Sequence, residues 1–251
     1  MKQYIQIYCP HCHHDDLVKN GHSENGTQRY VCKGCKQSFQ WEYTYNAWIP
    51  EVKEQIETQT FNGSGVRDVS RNLGISRSTV IAELKKKDPA EVNVGYANYL
   101  KMQGTAGLDV DICLDVDGDE FWSFVGGKSN QRWTWYVLDR ASGVILAHHN
   151  GRRTDASCQA LLKKLEIFPI RTYYTDNWSS YTKFIPSHQH ITGKQYTWKI
   201  ERTNLNFRTH IKRLQRKTIC YSRNETIHDN VIGMYIEHKY YSAMNAYAHV
   251  A

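Results

Sequence analysis

Apolar residues recur at helical spacing in the segment that spans residues 51–87. The apolar positions are Val66, Val69, Leu73, Ile75, Val80 and Leu84. Gly74 interrupts this pattern, which predicts two short helices joined by a tight turn. Ser76 is a suitable N-cap for the second helix, which we predict over about residues 77–87. Residues 85–89 then end that helix and begin a linker, because Pro89 disfavours helical backbone before it.

The pattern changes to alternating strand-like segments further along the chain. The predicted strands are residues 118–125, 132–139 and 143–149. Ser129-Asn130 and residues 141–143 supply turns, so the three strands form a predicted antiparallel meander. A helix at about 155–165, a strand at 170–175, a short helix and a helix at Glu201 complete the order. Three antiparallel strands, a helix and a further strand is the order of a ribonuclease-H-like domain, although other α/β domains share parts of it.

Two acids occupy special positions in this second half. Asp176 closes the strand at 170–175 and Glu201 opens the last of these helices, with 24 residues between them. Carboxylates among cationic side chains can hold a divalent metal ion beside a nucleic-acid phosphate. The pattern therefore indicates an enzyme that acts on DNA or RNA.

A third acid is expected on the first strand of the meander. The candidates are Asp109, Asp111, Asp115, Asp117, Asp119 and Glu120. Asp119 is favoured because it precedes the most strand-like run, residues 121–125, and so can lie next to the strand that ends at Asp176. Asp117 has the same side-chain parity and is the principal alternative.

The segment that begins at Glu201 has the character of an amphipathic helix. At 100° per residue its buried stripe consists of Ile200, Phe207, Ile211 and Leu214. A second predicted stripe contains Glu201, Arg208 and Lys212, with Asn204 between the two stripes and Arg202 extending the positive surface. Such cations can hold the phosphates that flank a scissile bond, although an acid and a base seven residues apart are also common on solvated helices.

Composition is compatible with a polyanionic partner. The chain has 251 residues, 40% of them hydrophobic, and a formal net charge of +7. Residues 194–223 carry nine Lys or Arg and one acid, a run that alone fits a solvated face equally well. Neither a signal peptide nor a membrane span is predicted, which favours a cytosolic, nucleoid-associated protein of a prokaryote.

Four of the seven cysteines form two matched pairs near the start of the chain. The pairs are Cys9 with Cys12 and Cys32 with Cys35, and 19 residues separate the second cysteine from the third. This spacing predicts one structural zinc ion in a ribbon, with a redox pair as the weaker alternative. We interpret Cys113, Cys158 and Cys220 as ordinary packing residues.

Residues 67–80 closely resemble the helix-turn-helix pattern of DNA-binding proteins. In that arrangement the second helix enters the major groove with its N-terminal residues leading. Arg77, Ser78 and Thr79 are then expected at bases or phosphates, with Lys85 and Lys86 on the DNA backbone. The alternative is a helical hairpin that only packs.

Several short blocks together resemble transposases of the insertion-sequence-one (IS-one) family. The blocks are residues 119–126, 131–140, 175–178, 200–206 and 228–233. The resemblance implies an α/β protein with a zinc ribbon (1–45), a helix-turn-helix domain (46–90) and a ribonuclease-H-like DDE transposase or integrase domain (105–251). It implies a triad of Asp119, Asp176 and Glu201 and a basic residue seven positions after the glutamate, which is Arg208. Many members make the two halves from overlapping frames, whereas here both lie in one continuous sequence.

The family also implies a reaction. The triad would hold two Mg²⁺ (or Mn²⁺) ions for cleavage at 3′ ends and strand transfer into target DNA. The partners are the terminal inverted repeats and the target, and pairing two ends requires at least a homodimer. The alternatives are a non-catalytic DNA-binding regulator and a DDE-type nuclease without strand transfer. Trp178 and Tyr181 could stack on a displaced base, although packing is an equally good role for both.

Overall fold

The chain forms two compact units, Met1–Ile49 and Pro50–Ala251. A computed structural model describes residues 6–41, 45–104, 112–193, 198–215 and 217–241. Asp109 and Asp111, two of the candidate acids, lie outside these ranges, as do Lys194 and Arg216. No helix within the described ranges is long and apolar enough to cross a bilayer.

The first unit contains a small antiparallel sheet in the order β1-β2-β3. Its strands are β1 (Leu17–His22), β2 (Gln28–Cys32) and β3 (Ser38–Gln40). Phe39 is the buried hydrophobic side chain that packs with Cys9 and Cys32. So small an apolar cluster buries little surface, so this unit requires a further source of stability.

The second unit begins with three helices, α1 (Pro50–Phe61), α2 (Val66–Leu73) and α3 (Arg77–Lys86). Gly74 has a φ of 63°, a left-handed conformation that suits glycine and ends α2. The Ser76 side chain accepts a hydrogen bond from the Thr79 N–H at 3.1 Å and caps α3. The predicted helix-turn-helix geometry is confirmed.

The segment predicted as a linker contains a helix, α4 (Val94–Gly104). Asn93 starts this helix by accepting a hydrogen bond from the Tyr96 N–H at 3.0 Å. Tyr96, Ala97 and Leu100 are buried in the same core as the large sheet. The linker prediction is therefore wrong, because contacts with residues some 50 positions away decide what α4 packs against.

A five-stranded mixed sheet forms the centre of the second unit, in the order β6-β5-β4-β7-β8. The strands are β4 (Leu114–Val125), β5 (Gly127–Asp139), β6 (Ile145–Gly151), β7 (Ile170–Thr175) and β8 (His190–Thr192). The first three pair antiparallel, and β4, β7 and β8 pair parallel. This topology confirms the predicted ribonuclease-H-like arrangement and adds β8, which the sequence pattern did not indicate.

The turn between β4 and β5 differs from the prediction. Ser129 and Asn130 lie inside β5, and the chain reverses at Gly126, whose φ is 77°. Glycine adopts a left-handed backbone at little cost, so the reversal occurs at Gly126 and the strand continues through Ser129 and Asn130.

Helices cover both faces of the sheet. On one face, α5 (Asp155–Leu165) and α6 (Ser179–Phe184) pack around the buried Trp135. On the other, α7 (Trp198–His210) places Phe207 5.0 Å from Phe121, ring centre to ring centre. The last helix, α8 (Glu225–Ile236), is largely buried and packs against α1, α3 and β6.

Candidate active site

The register of β4 and β7 brings two of the predicted acids together. Asp117 is paired with Tyr174 across these parallel strands, so two residues further along Asp119 lies beside Asp176. Burial raises the pKa of Asp119 to about 6, and the negative charge of Asp176 contributes to this rise. Two carboxylates that repel one another at a sheet edge are a common arrangement in metal-dependent active sites.

Helix α7 covers Asp119 from the other side. The side-chain amide of Asn204 donates a hydrogen bond of 2.6 Å to Asp119, and its oxygen accepts one of 2.9 Å from the Tyr136 hydroxyl. Glu201 is exposed and precedes Asn204 by three residues, which places the two about 60° apart around the helix. The third predicted acid therefore lies on the side of α7 that contacts Asp119.

Asp117, the principal alternative to Asp119, has a different environment. Its carboxylate accepts a hydrogen bond of 2.7 Å from Arg140, whose guanidinium lies 3.9 Å from the ring centre of Tyr174. Only 3% of Asp117 is exposed, and burial raises its pKa to about 6. Asp115 is bound by Arg171 at 3.0 Å. Both acids have arginine partners, whereas Asp119 faces another acid.

The sequence pattern does not indicate an ion pair between the buried Glu120 and the surface residue Arg153, which lies next to the predicted triad. Glu120 accepts hydrogen bonds from Arg153 at 2.8 Å and from the Tyr181 hydroxyl at 2.9 Å. Burial, followed by the charge of Asp176, raises the pKa of Glu120 to about 7. Arg153 also approaches Asp176 to 3.8 Å and lies 4.7 Å from the ring centre of Trp178. Glu120 and Arg153 are 33 positions apart, so no local pattern relates them.

Two cavities flank these acids. One of about 550 Å³ is lined by Arg153, Asp176, Asn177, Trp178, Thr192 and Gly193. The other, of about 760 Å³, is lined by Glu201, Asn204, Leu205, Arg208, Thr209 and Gln215.

The two aromatic residues predicted to stack on a base or to pack differ in exposure. Tyr181 is 1% exposed, so it packs in the core and is not accessible to a base. Trp178 borders the first cavity.

The predicted DNA-binding residues occupy several environments. Arg77, Ser78, Lys85 and Lys86 are exposed on α3, and Thr79 is partly buried. Arg202 is exposed at the start of α7. These residues are accessible to a partner that docks on either helix.

The predicted second stripe of the Glu201 helix continues beyond the end of that helix in the structure. Asn204 uses both ends of its amide on Asp119 and Tyr136, and Arg208 donates to the Leu214 carbonyl at 3.1 Å. Lys212 is not on the helix at all, because α7 ends at His210 and Lys212 lies in a following 3₁₀ turn. A single helical period therefore did not apply as far as Lys212.

The four paired cysteines form one cluster in the first unit. Their sulfurs all lie within 4.8 Å of one another, and the pairs Cys9–Cys35 and Cys12–Cys32 are each 3.6 Å apart. Tetrahedral zinc with Zn–S bonds near 2.3 Å requires sulfurs about 3.8 Å apart, so the four thiolates fit one structural zinc ion.

The other three cysteines were interpreted as packing residues. Cys158 is buried, as that interpretation requires, whereas Cys113 and Cys220 are exposed, so the interpretation is wrong for these two.

Comparison with known proteins covers almost the whole chain. A family model described as IS1 transposase matches residues 110–242, and models of the InsA N-terminal and C-terminal domains match residues 4–36 and 43–87. The protein InsB of insertion element iso-IS1n from Shigella dysenteriae is 50% identical over 131 residues, which are 52% of this chain and 100% of that protein. InsB of IS1 from Shigella flexneri is 41% identical over 130 residues, which are 52% of this chain and 98% of the relative.

A solved structure, the mariner Mos1 paired end complex with Mg, is similar over 78% of this chain and 74% of its own, at 10% identity and a TM-score of 0.28. A likeness at that score carries no weight for this chain. The IS1 transposase model alone matches more than half of the sequence, and the zinc ribbon and helix-turn-helix models match the segments before it. The chain belongs to the IS1 transposase family.

Proposed function

We propose that this transposase binds the terminal inverted repeats of its element and catalyses Mg²⁺-dependent 3′-end cleavage and strand transfer into target DNA. The observation that supports this most directly is the contact between α7 and β4. The Asn204–Asp119 hydrogen bond, together with the β4–β7 register, brings a helix that bears Glu201 against the edge that bears Asp119 and Asp176.

The three carboxylates are suitable ligands for Mg²⁺, which prefers oxygen donors. Asp119 and Asp176 repel one another, and a bound cation would relieve that repulsion. Asp119, Asp176 and Glu201 would hold two such ions. The chemistry that Mg²⁺ (or Mn²⁺) supplies in two-metal sites is activation of the attacking oxygen and stabilisation of the leaving oxygen.

Residues around the triad would orient the reactants. Asn204 holds the Asp119 carboxylate in one orientation, and Tyr136 in turn orients the Asn204 amide. Arg153 and Arg208 each border one of the two cavities beside the acids, where a guanidinium can bind a DNA phosphate. The strand to be cut would thus lie along the sheet edge between two cations.

The N-terminal segments would bring the catalytic domain to its substrate. Arg77, Ser78 and Thr79 at the start of α3 would contact base edges or phosphates of the terminal repeat, and Lys85 and Lys86 the DNA backbone. The reaction joins two ends to one target, so at least two copies of the chain would act together.

A single assay distinguishes this function from its alternatives. Labelled element ends, a target plasmid and Mg²⁺ are incubated with the full chain or with Asp176→Asn or Glu201→Gln. We expect strand-transfer products from the unmodified chain, no cleavage or joining by either variant, and unchanged end binding by both. The exposed acids Asp88 and Glu166 supply the matched controls Asp88→Asn and Glu166→Gln, which should remain active.

The other outcomes would contradict the proposal. Cleavage without joined product would identify a nuclease, and binding without cleavage would identify a regulator. Full joining by Asp176→Asn or Glu201→Gln would show that the triad is assigned wrongly.

A further inference from the structure

A basic groove lies between the helix-turn-helix and a segment near the end of the catalytic domain. The groove has a volume of about 1020 Å³, and α2, α3, Arg213 and residues 219–224 contribute to its walls. Its cationic lining residues are Arg67, Arg71, Arg77, Lys85, Arg213 and Arg223. Asp68 is the one acid among the described lining residues, and it already accepts hydrogen bonds from Arg71 and the Gly65 N–H.

Arg213 is the most informative residue of this groove. Its side chain is half-buried, and it donates a hydrogen bond of 3.3 Å to the Ser222 hydroxyl. Within the described ranges of the chain, no carboxylate lies within ion-pair distance of its guanidinium. Burial lowers the pKa of Arg213 to about 10, so the group is still charged at neutral pH. A partly buried charge with no carboxylate partner among the described residues is a favourable site for an anion.

A buried chain of hydrogen bonds holds Arg213 in place. The Ser123 hydroxyl donates to the Arg132 carbonyl at 2.8 Å, so it accepts from His228 Nε2 at 2.9 Å. His228 Nδ1 then accepts from the Ser222 hydroxyl at 2.8 Å, which leaves the Ser222 oxygen to accept from Arg213. Burial lowers the pKa of His228 to about 3, so its ring is neutral, as this direction requires. This series of hydrogen bonds orients the Arg213 guanidinium and uses one of its N–H donors, so the others can bind a ligand.

The opposite wall of the groove is one face of α3. Arg77, Ile81 and Lys85 line it at intervals of four residues, which places them along the same side of the helix. Asn230 of α8 donates hydrogen bonds to the carbonyls of Leu84, at 2.9 Å, and Lys87, at 2.7 Å. These bonds fix the C-terminal end of α3 to the catalytic domain, so the two walls belong to one compact unit.

We propose that this groove binds backbone phosphates of the element end next to the helix-turn-helix contact, with Arg213 as a phosphate-binding residue. The proposal rests on the end binding proposed above. It adds a DNA contact that the catalytic domain makes next to the helix-turn-helix, away from the candidate active site. The excess of positive charge favours a polyanion, and a guanidinium matches phosphate with two parallel hydrogen bonds. Contacts of this kind hold the DNA regardless of its sequence.

Salt-dependent binding of the full chain tests the proposal. Fluorescence anisotropy is recorded over a range of salt for a labelled duplex with the element end and a labelled duplex of arbitrary sequence. We expect Arg213→Gln to weaken binding to both duplexes roughly tenfold, as for one charge-assisted hydrogen bond. The slope of log affinity against log salt should become shallower by about one, because one phosphate contact is lost. Arg223→Gln, which changes an exposed residue of the same groove, should act in the same direction.

Arg171→Gln is the matched control, because Arg171 is an exposed arginine on β7 paired with Asp115 and does not line the groove. If Arg213→Gln and Arg223→Gln retain the affinity and slope of this control, the proposal is wrong. If thermal unfolding shows that Arg213→Gln does not fold, the affinity and salt slope of Arg223→Gln alone decide whether the groove binds DNA. Failure of the unmodified chain to prefer the element end would contradict the proposed end recognition, while the arbitrary duplex still tests the groove.

Discussion

At the scale of single residues, Asp119 is a carboxylate in an electrostatically unfavourable environment. Its pKa in the folded chain is raised from 3.8 to about 6, first by burial and then by the charge of Asp176. An acid with a raised pKa in the folded state costs stability once it ionises, so the cost develops as the pH rises from below 3.8 to above about 6. A site with this property gains stability when a cation binds.

Asp119→Asn should therefore stabilise the chain in Mg²⁺-free buffer at neutral pH. We expect a gain on the order of 1 to 3 kcal/mol in the free energy of unfolding, because the buried charge is removed. The gain should shrink as the pH is lowered through about 6, since Asp119 then becomes neutral in the unmodified chain as well. Urea unfolding at a series of pH values measures this, and a gain that grows on acidification would contradict it.

The ion pair of Glu120 and Arg153 lies beside Asp119 and Asp176, where β7 ends. Arg153→Gln leaves the buried Glu120 with the Tyr181 hydroxyl as its remaining described partner. We expect a loss of about 3 kcal/mol in unfolding free energy, because an unpaired buried charge is costly.

A double-mutant cycle measures that coupling. Glu120→Gln combined with Arg153→Gln should lose less than the sum of the two single variants, with urea unfolding performed above pH 7, where Glu120 is largely ionised. Additive losses would show that the two side chains do not stabilise one another.

At the scale of elements, the sequence predicted best those features that are encoded locally. Gly74 and Ser76 are three and one positions before α3 begins, and each acts on its own neighbours, so the helix-turn-helix was predicted with its turn and its cap. The matched cysteine pairs are similarly local. Asp119 is favoured over Asp117 in the sequence because it precedes the most strand-like run, residues 121–125. Side-chain parity does not distinguish these two acids, which are two positions apart on one strand.

Elements that depend on distant contacts were predicted poorly. Helix α4 was interpreted as linker because its partner residues lie on β5 and β6, far along the chain. Strand β8 has three residues and depends on pairing with β7. Lys212 was assigned to α7 because helical periodicity does not reveal that the helix ends at His210. The Glu120–Arg153 pair was not predicted because its two residues are 33 positions apart in the sequence.

The junction of α3 and α8 gives a prediction at this scale. Asn230→Leu removes the donor to the Leu84 and Lys87 carbonyls, so we expect a loss of about 1 to 2 kcal/mol in stability. Because the end of α3 is then less firmly held, affinity for the element end should also fall.

The N-cap residue Thr154 of α5 provides a control of comparable cost. Thr154→Ala should lose about 1 kcal/mol without a direct effect on α3. Urea unfolding and anisotropy on both variants separate the two effects. Equal end binding by Asn230→Leu and Thr154→Ala would indicate that the junction does not influence DNA binding.

At the scale of the whole molecule, one chain joins segments that match InsA models to a segment that matches InsB proteins. Residues 50–251 form a compact unit in which the helix-turn-helix packs directly on the catalytic domain through α8. A DNA end bound by α3 would thus have a defined position relative to Asp119 and Asp176. This architecture favours coupled recognition and chemistry over two independent modules.

We propose that Asp119, Asp176 and Glu201 act as metal ligands in DNA strand transfer. Cysteine variants of the three acids test it directly, because a thiolate is a poor ligand for Mg²⁺ and a better one for softer ions such as Mn²⁺. Asp117→Cys is the control, since Asp117 is paired with Arg140 and any loss there should be the same with both ions.

The measurement is strand transfer of labelled element ends by each variant in Mg²⁺ and in Mn²⁺, relative to the unmodified chain. We predict that Asp119→Cys, Asp176→Cys and Glu201→Cys lose activity in Mg²⁺ and partly recover it in Mn²⁺. Undiminished activity of Asp119→Cys in Mg²⁺, or recovery in Mn²⁺ for Asp117→Cys instead, would contradict the assignment.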